Sequence, residues 1–185
     1  MKKKLIQTFV MALLLMMPAL LFGQQKNSLL IRGTGTFVPE ENTKAFIESN
    51  KKSEATVAGK YYKILQFQQV PSIEEKARLH SAGVQFLEYI PKNAYLVAID
   101  QNFSRTLLTE VGARSVIELT GEMKLDYRLL DWDIPQHAKV GKKVRVSLIS
   151  MQGLRVETFQ KDLSQLGLSV KEYGQDQRFA YLNLA

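Results

Sequence analysis

The chain has 185 residues, with 25 Lys and Arg against 18 Asp and Glu, and no cysteine. A hydrophobic share of 45% with 23% charged residues fits a folded globular protein and excludes wholesale disorder. The lack of Cys excludes disulfide scaffolds, thiol catalysis, Cys-ligated zinc and iron–sulfur clusters, and the two His, His80 and His137, are too few for a His-rich metal centre.

The first residues, Met1-Lys2-Lys3-Lys4, are basic, and residues 9–22 are apolar apart from a break at Pro18. Small Gly23 and polar Gln24-Gln25 follow. That order is the signature of a secretory signal peptide, with cleavage expected between Gly23 and Gln24 and a secreted or periplasmic location. A membrane anchor is the alternative, but a span needs about 20 apolar residues and the run is shorter, so no stable anchor is expected. Removing residues 1–23 leaves 162 residues and takes away three Lys and no acid, which lowers the formal charge from +7 to +4. A mildly basic exported protein gives no reason to expect nucleic acid as a partner.

Residues 24–59 read as a polar extension with little core of its own, apart from a short strand near residues 29–32. Gly33-Thr34-Gly35 is a loop, because the third glycine and the apolar helix of a nucleotide-binding turn are missing. Residues 61–68 (YYKILQFQ) form a strand that ends before Pro71. Ser72 and Glu75 make a capping box that opens a helix to about Ala82, and Gly83 closes it. Residues 84–90 and 94–100 are strands joined by the turn Pro91-Lys92-Asn93. Asn102 caps a second helix carrying Phe103, Leu107 and Val111 up to Gly112, and this reading is preferred to a glycosylation sequon at Asn102-Phe103-Ser104. Residues 114–119 are a fourth strand. The fold class is therefore α+β, with a ferredoxin-like β-α-β-β-α-β module over residues 60–121.

Residues 122–141 read as a linker in which Trp132 is the one anchoring aromatic. Residues 142–185 then repeat the pattern: a strand at 143–149, a helix with the stripe Val156, Phe159, Leu163 and Leu166 ending at Gly167, and strands at 168–173 and 178–184. Leu79, Gly83, Glu88 and Tyr89 recur at an offset of 84 as Leu163, Gly167, Glu172 and Tyr173, and Ala94-Tyr95-Leu96 recurs as Ala180-Tyr181-Leu182. Identities in register with the same element order point to an internal duplication. The second copy stops at β-α-β-β, so an unpaired edge strand is expected. Another chain would complete it, or the sequence is a piece of a longer protein, the reading preferred here.

No catalytic constellation emerges. His80 lies within the first helix and its counterpart in the repeat is Ser164, while His137 stands beside no motif. Glu74-Glu75 suits a helix N-terminus, and Asp131 and Asp133 suit a solvated loop. Neither a G-x-S-x-G elbow nor an H-E-x-x-H helix occurs, and no cofactor is implied. An RNA-recognition sheet is set aside because Asn93 and Leu96 replace the glycine and aromatic it requires. The strand at 94–100 alternates Tyr95, Val97 and Ile99 with Ala94, Leu96 and Ala98, so both of its faces are apolar. A docking surface for a protein partner and burial against the duplicate are both open explanations.

Residues 61–67 (YYKILQF), Pro71, Leu79, Ala82-Gly83-Val84 and residues 89–96 (YIPKNAYL) resemble the fervidolysin-type N-terminal prodomain of secreted subtilisin-like serine proteases. The resemblance covers roughly residues 60–124. It implies a ferredoxin-like module that assists folding of a subtilisin-like protease catalytic domain and inhibits it, in cis or in trans. It further implies that Thr120, Gly121, Glu122, Met123, Lys124 and Leu125 form the segment lying in the protease cleft. The family's catalytic Asp, His and Ser motifs do not occur in these residues, so no enzymatic activity is expected of this chain itself. The alternatives are a stand-alone secreted protease inhibitor and a structural or ligand-binding pair of modules.

Overall fold

The computed structural model describes residues 27–31, 33–49, 56–152, 154–175 and 178–184. The expected signal peptide, with Gly23 and Gln24, lies outside them. The fold is α+β, built on two four-stranded antiparallel sheets and a small hairpin.

The first sheet comprises β3 (Lys60–Phe67), β4 (Val84–Ile90), β5 (Ala94–Asp100) and β6 (Ala113–Glu118), in the order β4-β5-β3-β6. Two helices, α2 (Ile73–Ser81) and α3 (Leu107–Glu110), cover one face. Their Leu79 and Leu108 are fully buried with Leu65, Phe67, Val97 and Ile99 from the strands. α2 begins as the sequence implies: Glu75 N–H donates to Ser72 Oγ (3.1 Å) and Ser72 N–H donates to Glu75 Oε2 (2.7 Å). The neighbouring Glu74 carboxyl is held below its usual range by its own backbone N–H and by the Ser72 hydroxyl. Ser72→Ala is expected to cost about 1 kcal/mol, read from the midpoint of chemical unfolding. Gly83 closes the helix at φ 97°, and Gly167 plays the same part in the repeat at φ 69°.

The second expected helix is largely replaced by turns. Asn102 lies exposed in a turn, and residues 104–109 are linked by bonds three residues apart. α3 has no side-chain cap, so neither the Asn102 cap nor a helix from 103 forms. Phe103 is nevertheless buried in the core, which explains its apolar spacing with Leu107 and Val111.

The stretch expected to be a bystander forms part of the core. β1 (Leu29–Ile31) and β2 (Gly35–Phe37) make a hairpin around Gly33-Thr34. It lies on the sheet face opposite the helices, where Leu29 and Ile31 bury Ile64 and Ala94. Residues 38–42 then pass the β6 edge, and α1 (Thr43–Glu48) packs Phe46 against the core on the helix side. Both faces of β5 are apolar because this segment covers one and the helices cover the other. Neither the duplicate nor an outside partner is needed to bury them.

The second unit repeats the arrangement. β8 (Lys143–Ile149), α5 (Val156–Gln165), β9 (Val170–Tyr173) and β10 (Phe179–Leu184) follow in order, and the sheet runs β7-β8-β10-β9. The order β8-β10-β9 matches β3-β5-β4. Phe159 and Leu163 of α5 pack on Ala180 and Leu148. The edge expected to be bare is partly filled: β7 (Lys139–Val140) pairs with Lys143 and Val144, on the side of β8 that β6 takes beside β3. The linker, which also carries α4 (Tyr127–Leu130), reverses a second expectation. Trp132 is 70% exposed and anchors nothing, whereas Ile134 is the buried residue.

Candidate functional site

Of the residues that carry the family resemblance, Phe67 and residues 89–96 meet at one end of the first sheet, while Tyr61 and Val84 lie opposite Ile99 at the other end. Lys92 and Asn93 adopt left-handed φ values of 72° and 60° within the three-residue turn Pro91-Lys92-Asn93 that joins Ile90 to Ala94. Asn93 Nδ2 donates to the Gln68 carbonyl (3.2 Å) and Phe67 N–H donates to the Asn93 carbonyl (2.9 Å), tying the turn to the end of β3. Ala94 is fully buried because the β1–β2 hairpin leaves no space above it. Tyr95 sits edge-on to Phe86 at 5.0 Å between ring centres, to Tyr89 at 5.1 Å and to Phe67 at 6.1 Å.

Beside this turn the fully buried Gln66 holds three elements together. Its Nε2 donates to the carbonyls of Asn27 and Lys92, both at 3.1 Å, and its Oε1 accepts from Arg114 Nη1 at 3.1 Å. Arg114 also donates to the Pro39 carbonyl (2.8 Å), and Ser115 Oγ donates to the Glu40 carbonyl (2.6 Å). Asn42 completes the attachment: its Nδ2 donates to the Val116 carbonyl (2.9 Å) and its Oδ1 accepts the Val116 N–H (2.7 Å). One side-chain amide thus satisfies the outer edge of β6 as a neighbouring strand would, and it blocks that position to strand addition.

The six residues expected in a protease cleft are placed together, though not as an extended peptide. Glu122–Lys124 form a 3-10 turn, with Lys124 N–H bonded to the Gly121 carbonyl and Leu125 N–H to the Glu122 carbonyl, both at 3.1 Å. Met123 N–H donates to Thr120 Oγ1 (3.3 Å), and the Met123 side chain packs against the Leu29 cluster. Gly33 lies against the backbone carbonyls of Glu122 and Leu125, so the hairpin turn holds this segment in place. Thr120–Leu125 is therefore a folded part of the first unit.

Among the described residues Lys63 is the most deeply buried charge, 2% exposed, with its ammonium paired to Glu118 and 5.8 Å and 5.7 Å from the rings of Phe46 and Tyr61. The cavity beside it, reaching Arg105, measures about 10 Å³, room for about one water molecule and no larger ligand. Arg105 stacks on the Phe46 ring at 4.3 Å and donates to the carbonyls of Phe46 and Ser49, which fixes the end of α1. A larger open groove of about 410 Å³ runs between Thr43, Lys44, Gln68 and Thr109. The buried Thr43 hydroxyl finds no partner there among the described residues. His80 and His137 are both exposed. Among the described residues no three His, Asp or Glu gather as for a metal ion, and no helix is long and apolar enough to cross a membrane.

A family described as a domain of unknown function, DUF8729, matches residues 32–120. The matched stretch, just under half the chain, runs from the hairpin turn to the end of β6. It joins the N-terminal segment to the first sheet, as the packing does. No curated protein and no solved structure matches the chain.

The attachment of residues 27–49 was illegible in the sequence because it rests on backbone carbonyls and single amides, which leave no periodic signal. Leu29 and Ile31, two apolar residues at strand spacing, were the one available hint.

Proposed function

We propose that the chain works by binding, as the exported, non-catalytic pro-region of a subtilisin-like serine protease, aiding folding of the catalytic domain and inhibiting it. The observation that carries this reading is the strand order β4-β5-β3-β6 with both crossover helices on one face, the order of a ferredoxin-like module. The tight Lys92-Asn93 turn supports it, since those residues carry the resemblance to prodomains of such proteases. The matching order in the second sheet supports a duplicated module. On this reading the first unit engages a protease by a surface other than its hairpin-covered sheet face, or after the hairpin has moved. Thr120–Leu125 must likewise leave the 3-10 turn to enter a cleft.

The test is refolding and titration of subtilisin-like proteases with the purified chain. Recovery of active protease from denaturant is expected to rise, and the folded protease to lose activity, at micromolar chain. A panel of such proteases unaffected in both assays would overturn the proposal.

A further inference from the structure

Four exposed large apolar side chains fall within eight residues of the segment joining the two units: Leu125, Tyr127, Leu130 and Trp132. Trp132 is 70% exposed and sits at φ 55°, a left-handed conformation that a bulky residue rarely adopts. The left-handed backbone and the solvent-exposed indole occur together at this one position. Exposed Asp131 and Asp133 flank it, while Arg128 is engaged by Asp126 at 2.9 Å. An aromatic-centred patch with acidic flanks suits a partner surface that is apolar with a basic margin.

The chain itself presents such a surface. In the second unit α5 covers one sheet face, and among the described residues no element fills the position that the β1–β2 hairpin takes on the first sheet. On that face Ile149 is 61% exposed beside half-buried Phe179 and Tyr181, and exposed Lys143 and Arg145 continue along β8. Glu172 lies on the far side, next to Tyr181. The acidic patch therefore meets favourable charge when it approaches from β8. Trp132 and Ile149 are both exposed in one chain, so the two surfaces do not meet within it.

We propose that the Trp132 patch of one chain docks on the bare sheet face of the second unit of another copy, and reciprocally, closing a two-fold dimer. Each copy offers both surfaces, so two identical contacts close the assembly without leaving a free end. This inference is independent of any protease.

Trp132 is the only tryptophan, so its fluorescence reports the contact directly. Sedimentation of the purified chain over rising concentration should show a twofold gain in mass. Trp132 emission should shift to shorter wavelength over the same range, and added salt should weaken both changes. Asp131→Lys with Asp133→Lys, and separately Lys143→Glu with Arg145→Glu, should each give monomers with unchanged circular dichroism. Mixing the two variants should restore a one-to-one dimer, because both contacts again pair opposite charges. That rescue excludes misfolding as the cause of the loss. A monomer at every concentration overturns the proposal, as does association that neither charge reversal alters. Open-ended higher oligomers overturn the reciprocal closure.

Discussion

Leu29→Ala is expected to destabilise the first unit by about 2–5 kcal/mol, the range for emptying a well-packed leucine site. The side chain is fully buried on Ile64 and Ala94, with Ile90, Leu96 and Ile117 packed around the same cluster. Ile64, Ala94 and Leu96 belong to the two central strands and are held by pairing on both sides, so they cannot readily collapse into the space. The hairpin has only two three-residue strands, and without Leu29 it would rest on Ile31, the Gln66–Asn27 bond and the contact at Gly33, so the loss should loosen it. Denaturant unfolding followed by circular dichroism should show the lowered midpoint, and limited proteolysis should show faster cleavage within residues 27–49. A wild-type midpoint and cleavage pattern would mean that the hairpin contributes nothing to the fold.

Gly33→Ala should cost about 1–3 kcal/mol by the opposite route, overpacking instead of a cavity. A Cβ at Gly33 would strike the Glu122 carbonyl and stand 2.8 Å from the Leu125 carbonyl oxygen. Both obstacles are backbone, so no rotamer change relieves them, and either the hairpin turn or the 3-10 turn must move. The double variant Leu29→Ala/Gly33→Ala should cost less than the sum, because either change alone already loosens the same hairpin. Strict additivity would show that the two residues hold separate elements.

The strands of both units were legible because they bury one or two faces with regular alternation. Residues 84–90, 94–100 and 143–149 fall where the pattern places them. The capping box at Ser72 and the helix-closing glycines were equally readable, since each is a local backbone requirement met by one residue type. The pattern misled where burial came without a helix. Phe103 enters the core from a turn, and its spacing to Leu107 imitates a helical stripe. Trp132 was expected to anchor because large aromatics usually bury, and nothing in its neighbours signals a left-handed backbone there. The 120–125 segment was visible only through the family resemblance. Its turn depends on Gly33, nearly ninety residues earlier in the chain. Long-range contacts of that kind are absent from any local window.

The bond between Asn42 and Val116 spans 74 residues, and that separation orders events during synthesis. The chain that covers the first sheet leaves the ribosome before the sheet exists, yet it cannot settle until β6 has emerged. Closing so long a loop carries an entropic cost that is recovered only once the strands are paired. The hairpin and α1 are therefore late to fold although they are made first. Until then Ile64, Ala94 and Leu96 stay uncovered on a nascent sheet whose β6 edge is still open to other strands. Aggregation and chaperone capture of the growing chain should concentrate in that interval, after β5 is complete and before Asn42 finds Val116.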